Sequence, residues 1–106
     1  MNIRKDMRGN WAANSVYPIQ GGLQLTIHTY KNYSSRLVTT ASVGEAEGNV
    51  VSYRPFIDFS DVLLVISLHP RITAKVVEAQ HNKALVMLPA VMERVAAHYK
   101  IDAITV

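Results

Sequence analysis

The chain has no cysteine among its 106 residues. This absence excludes disulfide bonds, thiolate metal ligands and a cysteine nucleophile. A chain without disulfides is typical of a reducing compartment, so we expect a cytoplasmic protein. Hydrophobic residues make up 49% of the sequence, which is enough for one compact domain to bury a core without covalent cross-links.

Long apolar runs are also absent. The longest cover residues 62–66 and 84–92, whereas a membrane-spanning helix needs about 20 apolar residues. Residues 1–17 mix charged, amide and apolar side chains and contain no continuous apolar segment like that of a secretory signal peptide. We therefore expect no membrane span and no export by that route.

Acidic side chains are few and unevenly placed. The chain has 11 lysines and arginines and 8 aspartates and glutamates, which gives a formal net charge of +3. Residues 1–40 contain five basic side chains and one acidic, whereas residues 41–70 contain one basic and four acidic. So small a net charge creates a weak field, so the positions of the basic residues matter more than their number.

The amino-terminal half predicts an irregular segment followed by a meander of strands. Residues 1–20 show no sustained period of 2 or 3.6 and include several turn-forming residues, so we expect an irregular N-terminal arm. Apolar and polar residues then alternate over residues 22–30 and again over 36–43, as in two half-buried strands joined by a polar turn. After a glycine-bounded link, residues 49–54 are predicted to form a third strand.

A continuous apolar run and a first helix follow. Residues 61–68 are almost uninterrupted by polar side chains, as in a strand buried on both faces. Pro70 suits the first turn of a helix, and the apolar spacing that follows predicts helix over residues 70–80.

The carboxy-terminal segment allows two interpretations. Apolar residues at heptad-like spacing favour one helix over residues 83–100. Pro89 opposes this, because an internal proline removes a backbone hydrogen bond and clashes with the preceding turn. The alternative is a short strand over 85–88 with a helix opening at Pro89. Residues 101–106 are rich in β-branched side chains and could add a last strand.

These elements predict an α+β fold. We expect an antiparallel meander sheet of three or four strands, packed by two C-terminal helices. The domain is predicted to span residues 21–106, after the arm of residues 1–20.

No constellation typical of catalysis or metal binding is present. The four histidines show no close-pair spacing of a zinc site, and Glu78 with His81 supplies only one copy of a motif that di-metal bundles need twice. Glycine-rich phosphate loops and the glycine-flanked serine of a nucleophile elbow are missing. We therefore expect no metal, no cofactor and no enzymatic activity. An enzyme is the third hypothesis, and its candidate residues are His28 or His69 with Asp58 or Asp61.

The apolar run of residues 84–92 suggests self-association. In a helix, little of its circumference would suit water, so either the domain's own sheet or a second copy must cover it. The residues expected at a dimer interface are Leu85, Val86, Met87, Val91 and Met92. The first functional hypothesis is therefore a small non-catalytic interaction or regulatory protein that forms a homodimer and contacts a protein partner.

Basic and aromatic residues that alternate along the chain support the alternative, a nucleic-acid-binding module. Cations would contact phosphates, and aromatic rings would stack on bases. The residues expected to do so are Arg4, Lys5, Arg8, Trp11, Tyr30, Lys31, Tyr33, Arg36 and Arg54. An exposed sheet face would add a polar platform of Gln24, Thr26, His28, Tyr30, Arg36 and Thr40.

Overall fold

The computed structural model describes residues 1–19, 22–45, 59–66 and 71–100. Within them, five antiparallel strands form one sheet in chain order, and two helices pack on one of its faces. The elements are β1 (Asn2–Lys5), β2 (Trp11–Ile19), β3 (Leu23–Lys31), β4 (Leu37–Glu45), β5 (Phe59–Ile66), α1 (Ala74–Leu85) and α2 (Leu88–Tyr99). The predicted α+β class is confirmed, with five strands in place of three or four.

The first nineteen residues form a β-hairpin, so the prediction of an irregular N-terminal arm is wrong. β1 pairs with β2 from Asn2 opposite Asn14 to the turn that joins them. The side chains that β2 buries include Ala13 and Ser15, which are small or polar. Because such residues give no apolar alternation, the strand has no hydrophobic signature in the sequence.

The hairpin of β3 and β4 confirms the two strands predicted over residues 22–30 and 36–43. The strands pair from Leu23 opposite Glu45 to Lys31 opposite Leu37. Here the alternation is strong, because the side chains that face the helices, such as Leu25, are fully buried.

The last strand of the described sheet, β5, pairs antiparallel with β4. It confirms a strand in the region predicted over 61–68, but burial on both faces is wrong, since Val62 is 57% exposed and Val65 47% exposed. The segments 49–54, 67–70 and 101–106, for which strands or a helix start were predicted, lie outside the described residues.

A two-residue turn separates the helices, so neither interpretation of residues 83–100 holds completely. α1 begins after Thr73, whose hydroxyl accepts a hydrogen bond from the backbone N–H of Val76 (3.3 Å), and it extends beyond the predicted residue 80 to Leu85. The single helix over 83–100 and the strand over 85–88 are both wrong. Pro89 lies in the first turn of α2, where its missing N–H costs no hydrogen bond.

The core lies between the sheet and the helices in two clusters. Under α2, the buried side chains are Leu25, Ile27, Ala41, Val43, Val91, Met92 and Val95. Under α1, Val77 packs on Ala13 and Leu37. Each fully buried aliphatic side chain contributes about 1.5–3 kcal/mol, so the helices depend on this one face of the sheet. Neither helix is long and apolar enough to cross a bilayer.

Candidate functional site

The residues predicted for a dimer interface mostly pack inside the protomer. Val91 and Met92 belong to the buried cluster under α2, and Leu85 and Met87 are half-buried against the same cluster. Val86 alone among the five is exposed, at 80%. The chain's own sheet therefore covers most of the apolar run, and Val91 and Met92 cannot reach a partner while the protein is folded.

Two hairpin tips meet at one end of the sheet. Arg8, in the turn between β1 and β2, donates a hydrogen bond from Nη2 to the backbone carbonyl of Lys31, which lies 23 residues further along the chain. The guanidinium carbon of Arg8 also lies 4.6 Å from the ring centroid of Tyr33, in the turn between β3 and β4. We use "basic end" for the set Lys5, Arg8, Trp11, Lys31, Tyr33 and Arg36.

Side-chain hydrogen bonds fix the shape of both tips. Asp6 Oδ1 accepts from the backbone N–H groups of Arg8 (2.9 Å) and Asn10 (3.0 Å). In the second tip, Asn32 Oδ1 accepts from the backbone N–H of Arg36 (2.9 Å). Such Asx turns hold the backbone in one conformation. The cations on these tips are therefore presented by ordered turns.

Each aromatic ring at the basic end carries a cation on one face. Lys5 Nζ lies 5.5 Å from the ring centroid of Trp11, and Arg8 lies 4.6 Å from that of Tyr33. Tyr33 is 93% exposed, whereas Trp11 is half-buried against the core under α1. The exposed ring of Tyr33 can still stack a planar group on the face away from Arg8.

Positive charge exceeds negative charge at the basic end. It contains four cations, and the nearest carboxylate in the described sequence, Asp6, is engaged in the turn. Of the other predicted nucleic-acid contacts, Arg4 lies on β1 opposite Ala12 of β2, and Arg54 lies outside the described residues. The structure thus gathers most of the cations that were predicted to bind phosphates.

The sheet face opposite the helices, which we name the open sheet face, is mostly polar on β3, whereas Val16 on β2 and Val62 and Val65 on β5 expose apolar surface there. Strand register places the predicted platform residues Gln24, Thr26, His28, Tyr30 and Thr40 on it, while Arg36 lies in the adjacent turn. The rings of His28 and Tyr30 stack with centroids 4.6 Å apart and an interplanar angle of 25°.

Burial favours the neutral form of His28 on this face. Partial burial lowers its pKa from the ordinary 6.5, and the nearby charge of Asp6 opposes that shift only in part. His28 therefore offers a neutral ring and hydrogen-bonding nitrogens, while the cations lie at the basic end.

A chain of buried hydrogen bonds lies between the sheet and α1. His81 is fully buried, with Nε2 2.8 Å from Ser15 Oγ and Nδ1 2.8 Å from Thr29 Oγ1. Thr29 Oγ1 lies 2.7 Å from Thr39 Oγ1, which also accepts from Gln80 Nε2 at 3.2 Å. The sequence interpretation missed this network, although strand alternation places the three hydroxyl residues on one face. The network is buried, and it ties α1 to three strands of the sheet.

Candidate catalytic and metal-binding residues do not come together in the described chain. His28 lies on the open sheet face, whereas Asp61 binds Arg94 of α2 on the opposite face. Glu78 is exposed and His81 is buried, so they do not share an accessible face. Among the described residues, no group of three histidines, aspartates or glutamates could hold a metal ion. His69 and Asp58 lie outside the described residues.

Comparisons with protein-family models, with curated proteins and with solved structures found no match to this chain. The feature with the clearest chemistry is the basic end, where ordered cations and aromatic rings adjoin a polar sheet face.

Proposed function

We propose that this protein binds nucleic acid through the basic end. One observation carries the proposal: Arg8 joins the two hairpin tips through the carbonyl of Lys31 and the ring of Tyr33. This contact brings cations from two separate turns to one end of the sheet. Clusters of lysine and arginine bind phosphate backbones, because their charge displaces condensed counterions.

The order of the tips supports binding by a prearranged surface. The hydrogen bonds of Asp6 and Asn32 hold both turns before any ligand arrives. A surface that is already ordered loses less conformational entropy when it binds. The exposed ring of Tyr33, backed by Arg8, provides a stacking surface for a base beside the phosphate contacts.

The test is a titration of labelled oligonucleotides, followed by fluorescence anisotropy at two salt concentrations. We expect saturable binding that weakens steeply with salt. The triple variant Lys5→Ala, Lys31→Ala and Arg36→Ala should bind at least tenfold more weakly at low salt. Its slope of log affinity against log salt should be smaller by about 2, since roughly three phosphate contacts are lost.

A matched variant separates the basic end from net charge. Lys83, Arg94 and Lys100 are exposed at the end of α1 and on or after α2, beside the cluster that packs on the sheet end away from the hairpin tips. Replacing all three by alanine removes the same charge, and we expect affinity within about threefold of the wild type. Equal losses in the two triple variants would contradict a site at the basic end, as would the absence of salt-dependent binding.

A homodimeric interaction protein is the second candidate. The observation that favours it is the 80% exposure of Val86 at the turn between the helices, because an exposed aliphatic side chain can seat in a partner. We propose this only for the helix turn, since the buried residues of α2 cannot take part.

A further inference from the structure

The open sheet face carries no negative charge in the described strands. No aspartate or glutamate occupies an outward position of β1, β2, β3 or β5 or of residues 37–44 of β4, and Asp61 faces the helices, where it binds Arg94. The described strands therefore add no repulsion of a polyanion on this face, and the carboxylate that acts on it is Asp6 of the adjacent turn, whose charge reaches His28.

This face begins where the basic end stops. Tyr30 precedes Lys31 on β3 and points to the opposite side of the sheet, because successive side chains of a strand alternate. Arg4 on β1 and Val38 on β4 belong to the same side, with Val38 directly opposite Tyr30. A strand of nucleic acid leaving the hairpin tips would thus meet Tyr30 first and its stacked neighbour His28 next.

A row of hydrogen-bonding groups crosses the face beyond Tyr30. Asn2 lies opposite Asn14, Asn14 opposite His28 and His28 opposite Thr40, so the row spans four strands. In the part of the chain that the structure describes, the amides of Asn14 and Gln24 make no side-chain hydrogen bond. An amide both donates and accepts, which suits the edge of an unpaired base.

We infer that the nucleic acid held at the basic end is single-stranded and continues over the open sheet face, with an unpaired base on the His28–Tyr30 ring pair. This inference rests on the proposed function. A duplex keeps its base faces stacked inside the helix, so the rings and amides of this face would have nothing to contact. A single strand exposes both the faces and the edges of its bases.

The first experiment compares the wild type with a single strand of about 16 nucleotides and with the duplex of the same sequence and length. Both are titrated at equal salt by fluorescence anisotropy. We expect the single strand to bind at least tenfold more tightly, since stacking adds roughly tenfold for each base.

The second experiment removes the ring. Tyr30→Leu should weaken single-strand binding about tenfold and change duplex binding less than twofold, with the salt slope unchanged, because no phosphate contact is lost. Tyr30→Phe keeps the ring and should stay within about twofold of the wild type. Circular dichroism checks that each variant folds. If Tyr30→Leu does not fold, Asn14→Ala replaces it, with a threefold or greater loss expected for the single strand only.

The outcomes separate this inference from the proposed function. Equal binding of both forms, with no effect of Tyr30→Leu, would overturn the single-strand inference and leave the basic end intact. If neither the single strand nor the duplex binds in a salt-dependent manner, the result contradicts both the proposed function and the single-strand inference. Binding of phosphatidylserine–phosphatidylcholine vesicles in place of nucleic acid, lost in the basic-end triple variant, would assign the cations to a lipid surface and overturn both.

Discussion

At the scale of single residues, His81 has the most demanding environment in the described chain. A neutral imidazole has one donor and one acceptor nitrogen. In one consistent arrangement Gln80 donates to Thr39, Thr39 to Thr29, Thr29 to His81 Nδ1, and His81 Nε2–H to Ser15. Every hydroxyl between the ends then accepts one hydrogen bond and donates one. A proton added to His81 would bring an uncompensated charge into a fully buried site.

The stability of the fold should therefore depend on pH through His81. Burial, with smaller effects of the N-terminal ammonium and His28, lowers the pKa of His81 from 6.5 to about 4. Between these values the unfolded chain binds a proton that the folded chain does not, so the free energy of unfolding falls as pH decreases from 6.5 to about 4. This dependence amounts to up to about 3 kcal/mol of the free energy of unfolding. Above pH 6.5 the free energy of unfolding keeps this full contribution.

Urea unfolding at pH 7.5, 6, 5 and 4.5 measures this dependence, with His81→Gln as the reference. The variant lacks the imidazole, so its unfolding free energy should change less over the same range. His28, whose pKa is also lowered, adds a smaller dependence of the same sign to both proteins. Parallel pH profiles would show that His81 is not the source.

At the scale of the elements, the sequence predicted those strands whose core-facing side chains are large and apolar. β3 and β4 bury several large aliphatic residues, such as Leu25 and Val43, among the inward positions, and the alternation of apolar and polar residues predicted both strands. β2 buries Ala13 and Ser15 instead, so its partners and not its own hydrophobicity make it a strand. The helix break at residues 86–87 shows the same limit, because apolar spacing continues through a turn that only the packing of both helices reveals.

The turn between β1 and β2 supplies a prediction about the basic end. Asp6→Asn removes a negative charge but keeps an oxygen that can accept the backbone N–H groups of Arg8 and Asn10. We expect it to bind nucleic acid as tightly as the wild type or tighter. Asp6→Ala removes the same charge and loses the acceptor, so the tip loosens and Arg8 leaves Tyr33.

The two Asp6 variants have the same net charge, so their affinities, measured by anisotropy at one salt concentration, can be compared directly. Asp6→Ala should bind at least about threefold more weakly than Asp6→Asn, a loss on the order of the net free energy of one hydrogen bond. If the alanine variant binds as tightly as the asparagine variant, the order of the hairpin tip is irrelevant to binding.

At the scale of the whole molecule, the burial of α2 separates folding from self-association. Val91→Glu places a carboxylate in the buried cluster under α2, and we expect it to destabilise the fold by about 4 kcal/mol or more. Val86→Glu changes an exposed side chain and should alter stability by no more than about 0.5 kcal/mol. Thermal unfolding measures both effects.

Light scattering of Val86→Glu then tests the homodimer, because this variant folds. A wild type with the mass of two chains and a variant with the mass of one would support an interface at the helix turn. A wild type with the mass of one chain at high concentration would contradict the homodimer.

The candidate site was predictable in composition but not in assembly. The sequence shows that Arg8, Lys31 and Tyr33 are residue types that bind nucleic acid, whereas their contact depends on β2 pairing with β3. Since β2 carries no strand signature, the expected arm left Arg8 without a fixed position. The cations near residues 31–36 were placed correctly, because the strong alternation of β3 and β4 fixes their turn.

The chain-order sheet has a consequence for how binding competence arises during folding. Each described strand pairs with its predecessor, so the sheet can grow by successive local closures, which are the fastest steps open to an antiparallel fold. Neither hairpin contains the complete basic end, since Arg8 belongs to the first and Tyr33 to the second. The proposed binding surface therefore exists only after β2 docks on β3, and a nucleic acid bound there would favour that docked state over all partly folded ones.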